Sequence, residues 1–309
     1  ARRYQCMQQA KLCILLTDMG LGNMENSENP TEKSTAKPDA AKPDSDGLQR
    51  YGGHRWIPFV LPLLVYMLSG QFEPRPSDAE SRPEAAATAS EQTNNQLDAD
   101  ADGWFGDYLS YPLVYSLRIA LTVAVMLIAI PAYRSFPFRI SGWAFAAGVL
   151  GVGIWIWLCS LDLESRFLPE AVKSFLGLDK TRAAYNPLEH LGEQPLRLTG
   201  FLAIRFVGLA LVVPVIEEFF LRGFLARFVQ ETDWWKVSFG ASGAAVWIAV
   251  IAYAALSHPG EMVAAVVWFS LITALVVYTK NIWDAVTAHA VTNLLLGIYV
   301  LATGNWQLW

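Results

Sequence analysis

Seven stretches of this chain are apolar over lengths that a water-soluble core does not use. A bilayer-spanning helix needs about 20 mostly apolar residues, or somewhat fewer where flanking side chains reach to the interface. The stretches Trp56 to Leu68, Tyr111 to Tyr133, Trp143 to Leu161, Leu198 to Val229, Val237 to Leu256, Met262 to Thr279 and Ile282 to Ala302 fit that description, the first with help from its flanks. The expected fold is therefore all-α, a polytopic membrane bundle of about seven transmembrane helices with the lipid bilayer as its surroundings. Hydrophobic residues make up 53% of the chain and are clustered in these blocks, so the formal charge of -5 arises mainly outside them. No basic patch points to nucleic acid.

Residues 1–53 read as a disordered N-terminal tail, because the stretch after residue 22 is rich in Pro, Ser, Asp and Lys and can bury little apolar surface. The apolar core of residues 1–22 is too short for a convincing signal peptide, and Met24 is a candidate start. The remainder, 54–309, is expected to be one membrane domain with its core at about 198–302. Arg50, His54 and Arg55 precede the first helix and favour a cytoplasmic N-terminus. An acidic, low-complexity loop over 73–107 is then expected on the outer side. Arg134 and Arg139 fit a return to the cytoplasm.

In the third helix Ala144 with Gly148, and Ala147 with Gly151, put small residues one turn apart, so Gly151 and Gly153 read as packing glycines rather than a nucleotide fingerprint. The segment 166–177 has the apolar spacing of a helix lying along the interface. Trp306 and Trp309 suit an interfacial aromatic belt. Cys6, Cys13 and Cys159 have neither zinc-ligand spacing nor a disulfide framework.

Charged residues cost about 2.5 kcal/mol or more each at the middle of a membrane helix, so each one requires a reason. Glu217, Glu218 and Arg222 follow the apolar run 209–216, His258 ends the fifth helix, and His289 and Asn293 lie in the seventh. Glu218 and Arg222 are four apart and can form an ion pair, which leaves Glu217, about 100° around the helix, available for chemistry. His289 and Asn293 share a face. Pro214 leaves the carbonyl of Ala210 without its helical partner and kinks the fourth helix beside the glutamates, as expected of a wet cavity. Pro259 and Gly260 break the chain after His258. Arg205 and Asp284, near helix ends, read as snorkelling or structural residues.

Glu217-Glu218-x-x-x-Arg222, then Ala254-x-x-x-His258, then His289-x-x-x-Asn293 resembles the pattern of the CPBP intramembrane proteases, the CAAX-protease and bacteriocin-processing or Abi family. The membrane portion from Trp56 is similar to the CAAX prenyl protease-related branch of exosortase-bearing bacteria. Ala254 departs from the family's usual Phe, with Tyr253 beside it. The resemblance implies that Glu217 activates a water for attack on a peptide carbonyl, that His258 helps to hold that water, and that His289 and Asn293 stabilise the oxyanion. Glu218 and Arg222 then support the site. A carboxylate in a poorly solvated cavity and donors on a rigid helix suit that chemistry independently.

Glu217, His258 and His289 can also be read as zinc ligands, and the sequence leaves a metal-assisted and a metal-free mechanism both open. The substrate expected is a membrane-anchored protein or peptide: a prenylated protein, as the family's best-known target, or a lipid-anchored or C-terminally sorted surface protein. The alternatives are a proton- or cation-conducting transporter, disfavoured because the helices do not divide into two similar halves, and a non-catalytic membrane scaffold.

Overall fold

The structure, a computed structural model, describes residues 48–73, 111–176 and 185–308, all within one compact unit, Ala40–Trp309. Among the described residues the ordered elements are helices, and no strand is present. Seven carry the bundle: α1 (Ile57–Ser69), α2 (Tyr111–Tyr133), α3 (Gly142–Ser160), α4 (Pro195–Phe228), α5 (Ala244–Ser257), α6 (Met262–Thr279) and α7 (Ile282–Thr303). Five of them, α2, α3, α4, α6 and α7, are long and apolar enough to cross a membrane; α1 and α5 are apolar but shorter. The chain is thus an integral membrane protein of the all-α class.

Most boundaries follow local chemistry. Asn281 precedes α7 and accepts the backbone N–H of Trp283 at 3.1 Å, which supplies one of the orphan donors of that helix start. Asp284, fully buried, accepts from both the backbone N–H (2.8 Å) and the hydroxyl (2.9 Å) of Ser141, so it ties the start of α3 to the start of α7. This is the structural role expected of it. α5 is shorter than the sequence suggests, because Gly240 adopts a left-handed φ of +77° and Gly243 an extended backbone, which delay the helix until Ala244. The expected interfacial helix over 166–177 is divided: Leu163–Phe167 and Glu170–Leu176 are separate turns, since Pro169 forces Leu168 out of the helical region.

Two packing relations position the site. α7 runs against α3, α4 and α6, and α4 in turn packs on α1, α2 and α7. The close approach of α3 needs glycine. A Cβ on Gly148 would lie 2.7 Å from the Val291 side chain, and one on Gly151 would lie 2.7 Å from the Trp268 ring. Thr292 on α7 uses that proximity, donating to the Gly148 carbonyl or to that of its own helix at Ala288, both at 3.0 Å. Gly153 does not belong to this contact; a Cβ there meets nothing within 4 Å, which corrects its reading as a packing residue.

The tail and the acidic loop fall almost wholly outside the described residues. Residues 48–53, assigned to the tail from sequence, are described: Leu48 is buried and the Tyr51 hydroxyl donates to the Ile128 carbonyl at 2.8 Å. Glu73, at the start of the loop, pairs with Arg118 on α2 at 2.6 Å.

Candidate active site

α4 is not a uniform helix. It widens into π-type turns at Gly208–Val212 and Phe219–Leu225, one on each side of the short α-helical segment Val213–Glu218 that carries both glutamates. Wide turns and Pro214 together leave backbone carbonyls short of N–H partners. The carbonyl at Leu209 is satisfied from outside the helix: Asn293 Nδ2 on α7 donates to it at 2.9 Å. A kink at Pro214 exposing a carbonyl is the sequence expectation; the observed recipient is one residue earlier than Ala210.

Glu217 and Glu218 are both buried and have different surroundings. Arg222 lies 2.9 Å from one oxygen of Glu218 and 2.8 Å from the other, and also donates to the Phe269 carbonyl at 2.9 Å. Glu218 and Arg222 have 0% and 2% of their side-chain surface exposed, so this ion pair is shielded from water and salt. Its third member is His289, whose Nδ1 lies 3.1 Å from Glu218 Oε1. A carboxylate bound to a guanidinium only accepts, so Nδ1 carries the proton and Nε2 is turned the other way. His289 Nε2 is 3.9 Å from Glu217 Oε2, beyond direct hydrogen bonding. Trp268 packs edge-on against the His289 ring at 4.5 Å and fixes its plane.

Glu217, His258, His289 and Asn293 line one cavity of about 460 Å³. His258 and His289 are walled by Trp268, Phe269 and Trp155, with the His258 ring 5.6 Å from both Trp155 and Phe269. Ala254 is fully buried, so the aromatic wall of His258 comes from α3 and α6 rather than from its own helix. From Glu217 the cavity runs along α4 to Arg205, about 18 Å at 1.5 Å per residue. It extends towards the end of the bundle where α1 finishes and α2 begins. Glu217 of α4 and His258 at the end of α5 thereby share one space.

Several residues of the site carry no motif. Tyr253 lines the cavity together with Glu217. Ser257 contacts the His258 ring, its Oγ 2.8 Å from Nδ1. Arg205 lies in the cavity wall, where it bonds to the Tyr111 hydroxyl and stands over the Tyr115 ring at 4.7 Å. Only a hydroxyl one residue before His258 and a phenol one turn before it would have flagged Ser257 and Tyr253 in the sequence.

Residues 199–295 match the family model described as type II CAAX prenyl endopeptidase Rce1-like. Over that range, from α4 into α7, the chain is similar to the Rce1-like model. The matched range contains all six motif residues, Glu217, Glu218, Arg222, His258, His289 and Asn293. No curated protein and no solved structure matches the chain.

Zinc ligation by Glu217, His258 and His289 does not fit the geometry. Among the described residues no three His, Cys, Asp or Glu side chains converge on one point as a metal ion requires.

Proposed function

We propose that this protein is an intramembrane endopeptidase in which Glu217 activates a water to cleave a membrane-associated protein. The observation that carries the reading is the division of labour between the two glutamates: Glu218 is consumed by Arg222 and His289, whereas Glu217 faces the cavity. The Rce1-like match over the same helices supports it.

Glu217 takes a proton from water as the oxygen bonds to the peptide carbonyl carbon. The second Nδ2 proton of Asn293, the first being held by Leu209, is the donor offered to the developing oxyanion, with His289 beside it on the same helix face. Glu217 then passes its proton to the leaving nitrogen as the C–N bond breaks. General acid–base catalysis of this kind is worth about 10²–10⁴-fold. No step is routed through a metal, so cleavage is expected to persist after chelator treatment.

The substrate we infer is a membrane-anchored protein or peptide, whether prenylated, otherwise lipid-anchored or C-terminally sorted, that is held in a bacterial inner membrane and presents its chain at the depth of the cavity. The test compares membrane proteins from cells carrying the intact chain with those from cells carrying Glu217→Gln. At least one protein should be shorter only in the first. Identical lengths throughout would count against proteolysis.

A further inference from the structure

Ser257 ends α5 and His258 follows it in a non-helical conformation (φ -132°, ψ 62°), as the proline at 259 requires of its predecessor. The Ser257 hydroxyl touches two groups at once. Its Oγ lies 2.7 Å from the Tyr253 carbonyl oxygen and 2.8 Å from His258 Nδ1. A hydroxyl has one proton, and a carbonyl can only accept. Two oxygens at 2.7 Å with no proton between them repel, so the Ser257 proton goes to Tyr253. The Nδ1 contact is then a hydrogen bond only if Nδ1 carries a proton and donates it to the Oγ lone pair.

From this geometry we infer that Ser257 is a positioning residue which locks neutral His258 as its Nδ1–H tautomer, so that Nε2 presents a lone pair and acts as an acceptor. The inference deepens the proteolytic reading and its functional part rests on it. A water held by two acceptors, Glu217 and His258 Nε2, has both protons directed and its own lone pair left for the substrate carbonyl. A His258 of the opposite tautomer would donate to that lone pair and quench the nucleophile. The relay is local and helical, from the Tyr253 carbonyl through Ser257 to the ring, and Trp155 and Phe269 keep the ring from turning over.

The test pairs Ser257→Ala with Ser257→Thr, since threonine keeps the hydroxyl and bonds readily to the carbonyl four residues back. ¹⁵N spectra of the full chain in detergent micelles read the tautomer. The chain has four histidines, and His258→Gln assigns the signal. Expected is a protonated Nδ1 and an unprotonated Nε2 in wild type and Ser257→Thr, with a mixture in Ser257→Ala. The alanine variant should also lose about ten-fold or more in kcat, part of the acid–base contribution, with KM and melting temperature unchanged. A protonated Nε2 in the neutral wild type, or wild-type kcat in Ser257→Ala, would overturn the inference. So would a loss of kcat that merely follows a fall in melting temperature while the tautomer stays put. If wild type shows the assigned tautomer and cleaves nothing, the tautomer assignment stands and the protease reading is what fails.

Discussion

Two adjacent glutamates differ at the residue scale because their neighbours differ. Glu218 has a guanidinium and an imidazole as partners, and removing either partner leaves charge uncompensated away from water. Arg222→Gln and Glu218→Gln should each destabilise the protein by about 3–5 kcal/mol, with the double variant losing clearly less than the sum. A double-mutant cycle on thermal unfolding in detergent measures this, and strictly additive losses would show that the pair does not interact. Glu217→Gln preserves volume and breaks no ion pair, so its melting temperature should stay close to wild type. The candidate site was legible in the sequence because Glu218 with Arg222, and His289 with Asn293, are each spaced for one helix face, and membrane depth makes them and Glu217 conspicuous. Ser257 and Tyr253 were not legible: a serine and a tyrosine at a helix end are ordinary, and their role exists only once His258 is turned by Pro259.

The decisive feature at the scale of elements is the irregularity of α4. Pro214 was a readable signal of a break, but the wide turns on both sides and the rescue of Leu209 by Asn293 depend on where α7 lies. Asn293→Ala should therefore cost stability as well as activity, about 1–3 kcal/mol for an unpaired buried carbonyl. Pro214→Ala returns an N–H to the turn, and the double variant should recover part of the loss in thermal unfolding. The packing of α3 on α6 and α7 makes a second test. Gly151→Ala forces a methyl group onto the Trp268 ring and should lower stability by about 1–3 kcal/mol through overpacking, whereas Gly153→Ala should be neutral. Equal effects at both positions would contradict the packing described. Sequence spacing gave small residues at 144, 147, 148, 151 and 153 equal standing, and only the neighbouring helix separates 151 from 153.

Across the whole molecule the bundle serves to hold a polar cavity inside an apolar shell. Its long helices were legible from apolar length alone, whereas the short helices after α3 and the late start of α5 were set by Pro169 and Gly240, whose effects are local. The cavity walls come from helices distant in sequence, with Arg118 of α2 and Arg205 of α4 at one end and His289 of α7 at the other, which no linear motif encodes. From the charge pattern alone we propose a cytoplasmic N-terminus and an outer 73–107 loop. A cysteine introduced at Ser90 should accordingly be labelled by an impermeant reagent in intact cells, and labelling only after permeabilisation would invert the topology. Proteolysis and ion conduction are the two activities a buried Glu–His cavity could support. The most direct measurement is made on purified protein in proteoliposomes, following cleavage of a membrane-anchored substrate by wild type and Glu217→Gln. Wild-type cleavage reduced at least 10²-fold by Glu217→Gln, with normal melting temperature, is the predicted result. Equal cleavage by both proteins, or no cleavage together with a proton flux that depends on Glu217, would contradict it.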